Sequence, residues 1–361
     1  MFRGKLSILC RNNQGEKMRE KMKLWFTAAV SLFLAVCLLP MSPKAETKTG
    51  ICGSLTWELD EAGTMRVSGN GPLMDERGKL GGFVYNHSKV KRAVIEEGVT
   101  AIGDYAFKDC YYMESVSLPS TLQSIGEEAF VKCEALSSVV LPAGLREIGE
   151  EAFRECKSLQ SIVIPGGTEK IGKGAFIFCT SMTRAELQPG QTVVADEMFT
   201  KCYSLQEVSL PDGLKTIGKR VFDTCHALSK VSIPGTVTEI GESSFSDTAI
   251  TGIVIPDGMS TIPEAAFSLC RSLKSVKIPA SVKTIEFHAF FACESLKRVE
   301  LPETLSVLGN QSFQSSGLTG IVVPGSVKTV GPWAFTQCSK LKTVILEEGV
   351  KKIGKQAFYQ C

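Results

Sequence analysis

One phenylalanine returns along this chain at an almost fixed interval: Phe107, Phe130, Phe153, Phe176, Phe199, Phe222, Phe245, Phe267, Phe290, Phe313, Phe335 and Phe358. Nine of the eleven steps are 23 residues long and two are 22. Self-similarity at such a period constrains the fold before any local reading, because it marks a chain built from stacked units. Twelve copies run from about Val90 to Cys361, and the last one is incomplete.

A copy read from its cysteine is C-x-x-L-x-x-V-x-L-P-x-x-L-x-x-I-G-x-x-A-F. In the copy that begins at Cys133 the apolar positions are Leu136, Val139, Leu141, Leu145, Ile148, Ala152 and Phe153. Val139 and Leu141 have strand spacing. Pro142 lacks an N–H and suits the end of that strand. Gly149 permits a turn with positive φ. Residues Glu150 to Glu155 predict a short helical turn that carries Ala152 and Phe153 inward. One unit cannot bury its own apolar side chains, but neighbours stacked in register can. Parallel strands about 4.8 Å apart then give a stack roughly 50 Å long.

The L-x-x-V-x-L core resembles that of leucine-rich repeats, whose period range includes 23 residues. With Pro after the strand and then I-G-x-x-A-F-x-x-C, the phrase resembles the BspA-like bacterial surface leucine-rich repeats, over Val90 to Cys361. It departs from common leucine-rich repeats in lacking the Asn or Cys expected just after the strand, so no buried Asn ladder is expected. The resemblance implies an α/β repeat fold: a solenoid with a parallel β-sheet on one face and short helical turns on the other. It also implies a secreted or surface protein that binds other macromolecules.

Lys17, Arg19, Lys21 and Lys23 precede the apolar run LWFTAAVSLFLAVCLLP, Leu24 to Pro40. A basic region before an apolar one reads as a secretory signal peptide over residues 1–45, with a true start possible at Met18 or Met22. Val36, beside Cys37, is too bulky for a lipoprotein signal. Loss of residues 1–45 removes eight basic and two acidic residues, leaving 32 against 36 and a net charge of −4. No basic stripe remains to attract nucleic acid, and no later apolar run approaches the length of a membrane span.

Residues 46–89 precede the repeat. Leu55, Trp57 and Leu59 alternate, Asp60 to Gly63 makes a turn, and Met65 and Val67 alternate again. This predicts a small β-hairpin cap on the first coil, of the kind a solenoid needs. At the other end the chain stops at Cys361 within a copy. The expectation there is a longer chain or a partner that covers the last core face.

Ten of the thirteen cysteines share one repeat position: Cys110, Cys133, Cys156, Cys179, Cys202, Cys225, Cys270, Cys293, Cys338 and Cys361. Stacked neighbours fall within disulfide reach, yet parallel in-register side chains disfavour the required dihedral, and each inner Cys has two equivalent neighbours. A free Cys is a good small buried residue, so buried thiols are expected rather than disulfides. No C-x-x-C pair occurs and there are only three histidines, so no metal and no cofactor are expected. Where Thr248 and Ser316 replace the Cys, the copy is also one residue shorter before Ile250 and Leu318. The Cys therefore belongs to a particular turn.

No catalytic constellation stands out. LPETL at Leu301–Leu305 and LPSTL at Leu118–Leu122 lack the Gly of a sortase signal. His87, His226 and His288 fit no metal or nucleophile motif. Asn86 and Asn310 open glycosylation sequons that matter only in a eukaryotic host. The expectation is a protein that is not an enzyme.

If the chain works by binding, the sheet's open face is the expected surface, presenting the residues five and seven places after each Cys. Charges gather there in two zones, Arg184, Glu186, Glu207 and Lys230, and then Lys277, Arg298 and Glu300. The fourth copy has Gln188 for Pro, Val194-Ala195 for Ile-Gly and Met198 for Ala, which marks either a change of curvature or a contact site. The expected function is that of a secreted or cell-surface adhesion module that binds a protein or another surface macromolecule. The alternative is a structural envelope spacer whose binding or anchoring domain lies elsewhere.

Overall fold

The computed structural model describes residues 47–73 and 88–361. The expected signal peptide, 1–45, lies outside these residues, as do 74–87 with His87 and Asn86. The chain from Thr47 onward forms one unit.

The phenylalanines stand in a file. Ring centroids of Phe107 and Phe130 lie 5.2 Å apart with parallel planes, and those of Phe130 and Phe153 lie 5.0 Å apart. The file continues at similar spacing to Phe358. It is widest around Phe199, 5.8 Å from Phe176 and 5.9 Å from Phe222. Met198 and Val221 stand there where most coils have Ala, and their bulk accompanies the wider spacing. Every ring from Phe107 to Phe335 is fully buried. Burial of such a side chain stabilises by about 2 kcal/mol before entropy is counted.

Two ladders of parallel strands run along the stack. The first contains the V-x-L segments and includes Ser161–Ile164, Arg184–Leu187, Glu207–Ser209 and Lys230–Val231 in register. The second has only two residues in most coils, as in Ser124–Ile125, Glu147–Ile148 and Lys170–Ile171. The sequence reading treated its Ile solely as a core position and did not predict a strand there.

The first ladder comes in runs, not as the single continuous sheet expected. It stops after Lys230–Val231 and resumes at Gly252–Val254, and it stops again between Ser275–Lys277 and Gly320–Val323. Both gaps contain a short copy, at Thr248 and at Ser316. The residue lost from the turn changes how the next strand meets its predecessor. The copy at Cys133 makes only an isolated bridge, Ser138 to Ser115, although Val139 and Leu141 are buried as expected.

The expected helical turns are absent: no α-helix occurs among the described residues. A helix sends each N–H four residues back along its own segment. Here Glu128, Phe130 and Lys132 donate instead to Glu150, Ala152 and Arg154 of the next coil, at 2.9, 2.7 and 2.8 Å. Between them Ala129, Val131 and Cys133 donate three residues back, to Gly126, Glu128 and Phe130. This alternation needs residues with left-handed backbone. Glu151 has φ of 51° and Glu155 of 58°, and the same two places are left-handed in all twelve copies, with Gly174 at one of them.

Gly149 is not among the residues with positive φ, contrary to expectation. Its role is close approach. A Cβ there would lie 2.4 Å from Glu127 N and from Gly126 C of the preceding coil. The same contact recurs at Gly172, Gly241 and Gly309.

At the N-terminal end, Lys48–Cys52, Leu55–Leu59 and Thr64–Gly69 form an antiparallel meander. Its last strand pairs in parallel with Arg92–Ile95, which pairs with Ser115–Ser117. The meander therefore extends the first ladder and covers the first coil with Trp57, Met65 and Val67.

Candidate functional site

The first ladder turns alternate side chains inward and outward, as strand geometry requires. Ile162 and Ile164 are buried, while Ser161 and Val163 are exposed. In-register pairing lines the outward residues into two columns. Arg184 lies between Ser161 and Glu207, and Glu207 lies between Arg184 and Lys230. Arg184 Nη2 is 3.6 Å from Glu186 Oε2, two residues along the same strand. The first charged zone is thus brought together on three adjacent coils, with its charges balanced.

The second zone is looser. Lys277 ends the strand Ser275–Lys277, whereas Arg298 and Glu300 lie one coil on, outside any strand. All three are exposed. Pairs this exposed contribute at most about 1 kcal/mol each to stability.

The count along the repeat also puts aliphatic residues in the second column, although only charged residues were expected to form the site. Val140 is 81% exposed and Val254 is 58% exposed, and Val163, Val322 and Ile345 also stand outward. Their signal was available: each lies seven places after the Cys, or six in a short copy. The meander extends both columns, since Thr64 pairs with Arg92 and Arg66 with Val94. The face therefore alternates aliphatic and charged stretches.

A second surface line was also missed. Tyr203 stacks on His226 with centroids 5.4 Å apart, and His226 Nε2 lies 3.0 Å from Asp247 Oδ2. Arg271 follows, 4.0 Å from Asp247 and 3.1 Å from Glu294. Tyr203, His226, Arg271 and Glu294 each directly follow the repeat Cys, a shared position that could have revealed them.

The repeat matches the BspA type leucine rich repeat region in six copies, over residues 79–202, 192–285 and 260–361. The chain belongs to the BspA-type leucine-rich repeat family. A leucine-rich repeat protein from Bacteroides ovatus is 25% identical, with a TM-score of 0.65, over 86% of this chain and 92% of that one. A leucine rich cell surface protein from Faecalibacterium prausnitzii is also 25% identical, with a TM-score of 0.48, over 87% and 92%. A leucine-rich repeat protein from Eubacterium ventriosum is 21% identical, with a TM-score of 0.40, over 76% and 96%. No curated protein sequence matches the chain.

In this BspA-type chain the cysteines of the described residues are free thiols. From Cys133 onward each repeat Cys donates to the carbonyl of the Phe one coil back, as Cys179 Sγ does to Phe153 O at 3.2 Å. Burial pushes the Cys110 and Cys202 thiols up to about 12 and Cys270 up to about 11. A nucleophilic Cys needs the opposite shift. Among the described residues no cluster of His, Cys, Asp and Glu could hold a metal ion. Nor is any helix there long and apolar enough to cross a membrane.

Proposed function

We propose that this chain is a non-enzymatic binding protein that acts outside the cell, with the open face of the first ladder as its contact surface. The reading is supported chiefly by Val140, Val163, Val254, Val322 and Ile345, which stand out of one sheet column where no fold requirement keeps them. Such residues gain from being covered, by about 25 cal/mol for each Å² of apolar surface removed from water. The charged zones beside them, Arg184 to Lys230 and Lys277 to Glu300, would then select the partner by complementary charge. A protein partner fits this mixture of flat backbone, aliphatic knobs and balanced charge.

The basic and apolar segments before residue 46 support export as a signal peptide, and the family supports a place at a bacterial surface. An adhesion role follows from export and binding together. The experiment is a capture assay with the chain from Thr47, presented to extracellular-matrix proteins and to cell-wall material. Retention of a matrix protein by the native chain, and its loss in Val140→Glu/Val254→Glu, is the expected result. Equal retention by both chains would remove the face from the proposal.

A further inference from the structure

The third and fourth coils separate on one side of the stack, and the gap has polar walls. Most coils place Leu or Val at the position of Leu145 in the core, whereas these two carry Thr168 and Gln191. Both are buried, with exposures of 3% and 4%. Gln191 Nε2 donates to Pro165 O at 2.9 Å and to Thr168 O at 2.7 Å. Thr168 Oγ1 is buried and has no hydrogen-bond partner. A buried hydroxyl without a partner costs roughly 1–3 kcal/mol, so its presence asks for an explanation.

The backbones touch just above it. A Cβ on Gly166 would lie 1.9 Å from Pro189 O, and Gly190 has φ of 114° with its own Cβ position 2.5 Å from Gly166 O. Beyond this pinch the second ladder is open. Lys170–Ile171 pairs with Glu147–Ile148, and Val193–Val194 pairs with Thr216–Ile217, but the two do not pair with each other. In neighbouring coils Gly172 N donates to Ile148 O at 2.8 Å and Gly218 N to Val194 O at 2.9 Å, yet Ala195 N makes no such bond. Thr192 N likewise lacks the bond that Glu169 N makes with Arg146 O at 2.8 Å. The carbonyls of Glu169 and Ile171 lose the matching bonds.

A cleft of about 610 Å³ opens here, and Thr168, Glu169, Ile171, Gln191, Thr192 and Ala195 are among the residues that line it. That volume lies within the range of small-ligand sites. The cations at its rim are already answered, Arg146 by Glu169 at 3.1 Å and Lys170 by Glu147 at 2.5 Å. An anion therefore has little to gain. A ligand that both donates and accepts at several points around a compact body suits the walls, and hydroxyl groups do both.

We propose that the cleft between the third and fourth coils binds a neutral saccharide, with hydroxyls meeting Thr168 Oγ1, the free amides of Thr192 and Ala195, and the carbonyls of Glu169 and Ile171. This site rests on none of the sheet-face residues. No aromatic ring lines it, so affinity is modest, with Kd of about 1 mM.

Cellobiose, maltose and N,N′-diacetylchitobiose, each titrated into the chain from Thr47 with the amide resonances followed by NMR, provide the test. At least one sugar shifts Thr192 and Ala195 saturably. Thr168→Val, close in shape but without the hydroxyl, weakens that sugar by about tenfold. Thr168→Ser keeps the hydroxyl and retains binding, which separates a lost contact from a disturbed coil. Lys274→Glu, an exposed change four coils beyond the cleft, leaves the titration unchanged. The proposal falls if none of the three sugars moves these amides, if Thr168→Val binds as well as the native chain, or if glucuronate binds where the neutral sugars do not.

Discussion

Cys133 Sγ lies 3.2 Å from the carbonyl oxygen of Phe107, one coil back in the stack. The same bond recurs from Cys156 to Phe130 and from Cys225 to Phe199. It explains why one residue type holds this position so often. The site needs a small apolar side chain that can also donate to a buried carbonyl, and a thiol does both. The two departures support this. Thr248 and Ser316 each bring a hydroxyl, which lies 3.3 and 3.2 Å from the thiol of the next coil.

The thiol column makes the fold sensitive to alkali. Folded Cys270 is raised to about 11 and folded Cys202 to about 12, from an ordinary value of 9.0. Below pH 9 both states keep their protons and the stabilisation is complete. Above it the unfolded chain loses thiol protons that the folded chain retains, so stability falls as the pH rises through the folded values. Each thiol contributes a loss of about 1.4 kcal/mol per pH unit in that window. Urea midpoints measured from pH 8 upward should fall steeply past pH 9, and Cys202→Ala/Cys225→Ala should give a shallower slope. A flat profile would show that the thiols ionise equally in both states.

Glycines at two places in the repeat should respond oppositely to the same change. Gly149→Ala drives a Cβ to 2.4 Å from backbone atoms of the preceding coil, and backbone cannot yield as a side chain can. A loss of about 2 kcal/mol or more is expected, as for other overpacked sites. At Gly235 a Cβ meets nothing within 4 Å. Gly235→Ala should be neutral, or stabilising by up to about 1 kcal/mol through the unfolded chain. Denaturant midpoints of the two variants, with the slope m held in view, separate these outcomes.

The file of phenylalanines was legible because one invariant residue type marks each level, and the columns of the open face followed from the same count. The left-handed positions were not legible. Tyr105, Glu128, Arg220 and Trp333 occupy one such place and have no side-chain chemistry in common that favours positive φ. Tertiary stacking holds them there, since each donates its N–H to the next coil, and no single-copy pattern reveals that. The second ladder was hidden for a related reason. Two residues, such as Glu147–Ile148, are too few to display alternation. The departures of the fourth copy were visible as Gln188, Val194 and Ala195, but only coordinates relate them to the opened ladder beside Thr168.

The same left-handed places offer a route to stabilisation. A residue with a Cβ held there costs about 1–2 kcal/mol relative to its preferred backbone. Ala265 has φ of 51° and no polar side chain to compensate. Ala265→Gly removes the clash but adds freedom to the unfolded chain, so the net gain is about 0.5 kcal/mol. Ala265→Asn should gain as much without that entropy loss, because Asn tolerates this backbone well. A melting temperature raised in both variants is the expected result, and a drop in both would show that Ala265 is not strained.

On the open face the question is which side chains carry a partner. Val254 is exposed in the strand Gly252–Val254, so Val254→Glu should leave the denaturant midpoint within about 0.5 kcal/mol of the native value. Its effect on a captured partner should be large, a loss of about tenfold or more, because a charge buried at the centre of an interface is left unpaired. Arg184→Glu breaks the contact with Glu186 and reverses the sign beside Glu207, and it should act mainly on the association rate and its salt dependence. Arg298→Glu provides the matched change in the second zone. Binding kinetics at two ionic strengths distinguish the roles. If all three variants capture partner as the native chain does, the contact surface lies elsewhere on the coil, and the line from Tyr203 through His226 to Arg271 becomes the next surface to reverse.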